Sequence, residues 1–145
     1  MILPITLTIA AALTLLNVGL ALGVVRKRLG GKILLGTGGD PAMEARTRAQ
    51  ANLVEYAPFF LILSALLELA GVSSFSLWVT GVAFVLARLA HAFGMIRPAP
   101  NPFRAGGALT TWVLLLLLSG WALAEAYAAR VPANPAVIEP ASARA

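Results

Sequence analysis

Arg48, Asn52 and Glu55 lie in one apolar stretch and carry chemistry that a purely lipid-facing segment does not need. They stand at i, i+4 and i+7, so on a helix they share one face. A second apolar stretch carries Arg88 and His91 at i and i+3, with Met95 one turn further on. Ionisable groups at membrane depth are costly, and each is a functional candidate by default. By helical rise Glu55 lies about 10 Å along its helix from Arg48, and Arg88 about 13 Å from Arg97 at the end of its own stretch. The matched depth predicts that Glu55 and Arg88 meet, because an ion pair removes much of the cost of burying either charge alone. Such a pair either joins a ligand site or only staples two helices together. His91 reads either as a member of that site or as a satisfied polar residue in a helix interface. Glu68, about 30 Å from Arg48 by the same rise, belongs to the opposite interface and is expected to reach water.

At one end of the bundle the available groups are Arg26, Arg28, Arg48, Gln50, Asn52, Glu55, Tyr56, His91 and Arg104. Cations are in excess and one buried acid is present. The complementary ligand is anionic overall, with more than one carboxylate or phosphate and an amine for Glu55. Arginine suits planar carboxylates because its fork makes two parallel hydrogen bonds. For Arg26 to Arg28 the competing reading is simple anchoring to anionic lipid headgroups. The chain has no cysteine and one histidine, which excludes disulfides, thiolate metal sites, a cysteine nucleophile and a multi-histidine metal centre within one chain. No metal is expected.

The elements that position these residues follow from composition. The chain has 145 residues, 59% hydrophobic and only 12% charged, with mean hydropathy +0.86. Soluble domains carry about 25% charged residues, and disordered chains lack the apolar content. The expected fold class is therefore an all-α membrane protein, a bundle of four transmembrane helices. The first helix is expected from Ile2 to Val25, ending at Arg26-Lys27-Arg28. A glycine-rich loop runs to Pro41, where Asp40 caps and Pro41 opens helix 2. Helix 2 is expected to reach about Ala70 with a kink at Pro58, helix 3 to span Ser74 to Ile96, and helix 4 to span Ala108 to Ala129. Residues 1–130 form one membrane domain and 131–145 a flexible tail. Trp112 and Trp121 read as packing or interfacial aromatics.

Basic residues crowd the first and third loops, and the turn between helices 2 and 3 has none. The positive-inside bias places loops 1 and 3 in the cytoplasm and both termini in the periplasm, or in a lumen. In a membrane chain a formal net charge of +5 reports topology, so no nucleic acid partner is expected. The sequence has no internal repeat of the kind that builds inverted-repeat transporters.

The stretch Arg46-Thr-Arg-Ala-Gln-Ala-Asn-Leu-Val-Glu-Tyr-Ala-Pro-Phe-Phe60 resembles the signature of the MAPEG family, the membrane-associated proteins in eicosanoid and glutathione metabolism. Ala87-Arg88-Leu-Ala-His91 resembles the matching helix 3 segment of that family, and Gly36 to Pro41 is similar to its bacterial branch. The resemblance implies a homotrimer of four-helix subunits in a bacterial inner membrane, with glutathione as co-substrate between neighbours. Arg48, Asn52, Glu55 and Tyr56 would hold the peptide, Arg26 would add a contact from helix 1, and His91 would line the same chamber. Arg104 would correspond to the catalytic arginine that stabilises the glutathione thiolate. A free thiol has a pKa of about 8.5, and an adjacent cation lowers it. The sequence departs from the catalytic pattern at three points. His91 or Met95 stands where catalytic relatives carry tyrosine, Ala105 where a serine follows the arginine, and Ala51 where one synthase has arginine. Eicosanoid synthesis is therefore not expected.

Three readings compete. The first is a glutathione transferase or peroxidase acting on a hydrophobic small molecule dissolved in the bilayer. The second is a non-catalytic relative that binds membrane lipid or a partner membrane protein. The third is a small proton-coupled drug transporter, disfavoured because the first span has no acid.

Overall fold

The computed structural model describes residues 2–130, and the expected tail 131–145 lies outside them. Four helices follow in order: α1 (Pro4–Gly31), α2 (Pro41–Leu69), α3 (Ser74–Met95) and α4 (Pro102–Ala128). Each is long and apolar enough to cross a bilayer. Helices α2 and α3 touch each other and both remaining helices, while α1 and α4 do not meet. The bundle therefore has α2 and α3 on its short diagonal.

Start signals written in the sequence set most boundaries. Asp40 accepts from the amides of Ala42 and Met43, with Pro41 at the first helical position. Ser73 caps α3 through the amide of Ser76. Asn101 accepts from the amide of Phe103 with Pro102 at the first position, so α4 begins six residues before the expected Ala108. Asn101-Pro102 is the same cap-and-proline signal as Asp40-Pro41. Its consequence is that Arg104 sits in the first turn of α4 and not in a loop. α1 runs past Val25 through the basic cluster to Gly31, where Lys32 turns left-handed at φ 52°. Pro58 lies inside α2, which continues across it.

The core is a helical stripe from each element: Ile5, Ile9 and Leu13; Leu53, Ala57, Phe60 and Leu67; Leu77 and Phe84; Leu114 and Leu118. Spacings of three and four residues keep each stripe on one face. Phe60 and Phe84 stack with ring centroids 4.0 Å apart and bind α2 to α3.

Both ends of the α1–α2 hairpin are tied. At one end Lys27 pairs with Asp40 at 2.7 Å. That hydrogen bond from Lys27, with the amides of Ala42 and Met43, holds the Asp40 carboxyl below the usual carboxylate range. At the other end Glu68 is half-buried at the interface where it was expected, and its partners come from the chain itself. Its carboxylate accepts from the amides of Ile5 at 3.0 Å and Thr6 at 2.8 Å, and from the Thr6 hydroxyl at 2.7 Å. Leu3, the N-cap residue of α1, offers no side-chain acceptor, so Glu68 caps α1 from another helix.

Helices α3 and α4 approach closely at Gly94 and Gly107. A methyl group on Gly107 would lie 2.7 Å from the His91 amide nitrogen, and one on Gly94 would collide with the backbone of Arg104. Gly106, next in sequence, faces open space. We expect Gly107→Ala to lower stability in detergent by about 2 kcal/mol through overpacking. Gly106→Ala should be neutral or stabilising by up to about 1 kcal/mol. Paired thermal melts check this contrast. Glu68→Ala should lower stability by about 1–2 kcal/mol, the scale of a lost cap, in the same assay.

Candidate functional site

The side chain on which the site is built is Arg88. It belongs to the buried stripe of α3 and is 2% exposed. Its Nη1 donates to Asn52 Oδ1 at 2.6 Å and its Nη2 to the Gly107 carbonyl at 3.3 Å. The guanidinium carbon stands 5.7 Å from the Tyr56 ring centroid, close enough for a cation–π contact. Arg88 therefore joins α2, α3 and α4 at one point. The expected Glu55–Arg88 ion pair does not form. The one ion pair among the described residues is Lys27–Asp40, and Glu55 is exposed.

Depth matching failed here because it ignores azimuth. Glu55 lies midway between Leu53 and Ala57, both buried. Two helical steps of about 100° turn it to the opposite side of α2. Asn52 and Tyr56 lie at the edge of the buried stripe and reach the guanidinium instead. The positions of Leu53 and Ala57 in the apolar pattern were the signal that could have found this.

His91 is buried beside Arg88, one turn along α3. Its Nδ1–H donates to the Arg104 carbonyl at 3.0 Å. A carbonyl can only accept, so Nδ1 carries the proton. His91 thus fixes the first turn of α4, and the close approach at Gly107 brings that turn near. The Gly107 carbonyl also accepts from the Thr111 hydroxyl at 2.8 Å.

Of the residues singled out in the sequence, Asn52, Tyr56, Arg88, His91 and the backbone of Arg104 belong to this connected cluster. Arg26, Arg48, Glu55 and the side chain of Arg104 are exposed on the single chain. Arg48 and Glu55 share the outward face of α2. Asn52 stands between the two sets: its oxygen is engaged by Arg88, which leaves the amide N–H groups as its free hydrogen-bonding function. Arg104 is placed where a cation is electrostatically disfavoured, in the first turn of α4, so its charge adds to the positive end of the helix dipole.

Four helices long and apolar enough to span a membrane, around a buried arginine with no carboxylate partner among the described residues, define an integral membrane protein with a polar cluster in its core. The pattern has known counterparts. The chain belongs to the MAPEG family, whose sequence profile matches residues 6–124. It is similar to inner membrane protein YecN of Escherichia coli strain K12, 30% identical over 95 residues that cover 66% of this chain and 72% of the relative. YecN of Escherichia coli O6:H1 matches with the same identity and coverage. The four apolar helices and the inner-membrane relatives together support an integral inner membrane protein.

Substitution separates the observed cluster from an ion pair. Arg88→Leu strands the Asn52 oxygen in an apolar contact and should lower thermal stability in detergent by about 1–3 kcal/mol. Glu55→Gln should change it by no more than about 0.5 kcal/mol. An ion pair would make both variants fall together.

Proposed function

We propose that this protein binds glutathione between subunits of a homotrimer and uses its thiolate on a hydrophobic acceptor dissolved in the bilayer, as a transferase or peroxidase. One observation carries the reading: α2 turns Arg48 and Glu55 away from its own core at membrane depth, on a face adjoining an Asn52 whose oxygen is already engaged. Charged groups in that position need a polar partner. A neighbouring subunit with a charged peptide between the two supplies it. In this arrangement Arg48, with Arg26 from α1, pairs with the peptide carboxylates and Glu55 receives the ammonium group. The Asn52 amide donates to a backbone carbonyl, and Tyr56 and His91 line the chamber.

Arg104 is the group we assign to chemistry. Its guanidinium and the free amides of the α4 N-terminus both favour an anion. A thiol beside them ionises below its ordinary pKa of about 8.5, which raises the nucleophilic fraction at neutral pH. The proton leaves to water. The thiolate then forms a C–S bond at an electrophilic carbon as the acceptor's leaving group departs as an anion, or it cleaves the O–O bond of a peroxide. The second course releases an alcohol after protonation and a sulfenic acid, which a second glutathione thiol converts to the disulfide and water. The basic loops support a topology with this end in the cytoplasm and both termini in the periplasm.

A second reading, a non-catalytic family member that binds lipid or a partner membrane protein, draws support from His91 and Ala105. His91 spends its proton on a backbone carbonyl, and Ala105 offers no hydroxyl beside Arg104.

Calorimetric titration with glutathione tests the first reading. Binding in the millimolar range or tighter is expected, weakened up to about tenfold by Asn52→Ala, the scale of one lost neutral hydrogen bond. Arg104→Ala should keep most of the binding and lower conjugation of an electrophilic aromatic by on the order of 100-fold. Absence of glutathione binding would leave the second reading.

A further inference from the structure

The last turns of α1 and the link to α2 expose apolar side chains where a water-facing segment carries polar ones. Leu29 is 75% exposed, Leu34 92% and Leu35 88%. Together with Val25 and Ile33, Leu29 and Leu34 wall a groove of about 550 Å³ whose polar members are Arg28 and Lys32. Helix length gives the depth of this groove. The 28 residues of α1 span about 42 Å at 1.5 Å each, against a hydrocarbon core of about 30 Å. The last turns of α1 therefore stand in the headgroup layer, with the groove beside them.

Local bonds hold the groove in shape. Lys32 turns the chain left-handed, and the Ile33 amide donates to the Arg28 carbonyl at 3.0 Å. Arg28 Nη1 donates to the Leu34 carbonyl at 3.4 Å. Lys27–Asp40 fastens the far side of the link to α2. That pair also sorts the charges. Lys27 is matched by a carboxylate, whereas neither Arg28 nor Lys32 has one among the described residues.

Two unmatched cations at the rim of an apolar groove, at headgroup depth, are complementary to one kind of molecule: an anion with hydrocarbon attached. We propose that this groove is a defined binding site for an anionic phospholipid, its phosphodiester held by Arg28 and Lys32 and its acyl chains lying along Leu29, Ile33 and Leu34. This is narrower than a general attraction of basic loops to the inner leaflet, because it names two of the cations in this region and requires the leucines. It does not depend on the glutathione reading.

Native mass spectrometry of the full chain, released from nanodiscs of equimolar phosphatidylglycerol and phosphatidylcholine, tests it. Wild-type protein should retain phosphatidylglycerol in preference to phosphatidylcholine. The double variant Arg28→Gln, Lys32→Gln should retain on the order of tenfold less. Arg46→Gln removes a charge from the same end of the bundle but lies outside the groove, and should retain it as wild type does. Leu29→Ser with Leu34→Ser, all cations kept, should also lose it. None of these side chains belongs to the hydrophobic core, so each variant is expected to melt as wild type does. Equal retention of the two lipids, or an equal loss in Arg46→Gln, would overturn the proposal. Displacement of the lipid by excess inorganic phosphate, with the leucine variant unaffected, would also overturn it by showing a simple anion site.

Discussion

A guanidinium in the middle of an apolar bundle, with no carboxylate among the described residues to meet it, governs the arrangement of the polar groups around it. Among the described residues Arg88 meets neutral oxygens only, the side chain and carbonyl of Asn52 and the carbonyl of Gly107, and its buried Nε has no partner. In water such bonds exchange freely with solvent. In a low-dielectric interior each matters more, and losing one is expensive. Three helices must therefore converge on one point. The convergence of α3 and α4 in turn demands a residue without a side chain at Gly107, where backbone meets backbone. The same contact brings His91 to the first turn of α4 and sets where Arg104 leaves the bundle. The charge of Arg88 is unmatched by any carboxylate among the described residues, which is consistent with the anionic guest of the proposed function.

Much of this was legible in the sequence. Hydropathy and charge gave four spans, and Asp40-Pro41 gave the start of α2 to the residue. The cap signal at Asn101-Pro102 was equally plain, but a proline-rich stretch reads as a loop when prolines are weighed without their preceding caps. The basic cluster at Arg26 to Arg28 suggested the end of α1, yet helices readily continue into the headgroup layer, where arginine is a good helix former. Long-range pairings were less accessible. Glu55 and Arg88 agree in depth and disagree in azimuth, and only the burial of Leu53 and Ala57 resolves the second coordinate. Glu68 sits at the expected height, but its carboxylate is taken up by amides sixty residues earlier in the chain, which no local pattern announces.

Membership of the MAPEG family and the outward charges of α2 point the same way. A chain that satisfied every polar group internally would have no use for Arg48 and Glu55 on the side of α2 turned from its own core. Their placement leaves the single chain electrostatically incomplete within a bilayer. In the proposed assembly, oligomerisation and ligand binding complete it together, and the polar face that is a liability for the lone subunit becomes the surface on which it recognises both.

The cap that Glu68 provides bears on how the chain enters a membrane. Thr6 finds its acceptor 62 residues later, so the first amides of α1 gain this carboxylate only once the second span has crossed. Until then water must serve them, which holds that end of nascent α1 at the interface. Insertion as a helical pair, with both segments leaving the aqueous channel together, avoids stranding those amides, and the carboxylate that closes the hairpin would mark the moment when the pair is seated.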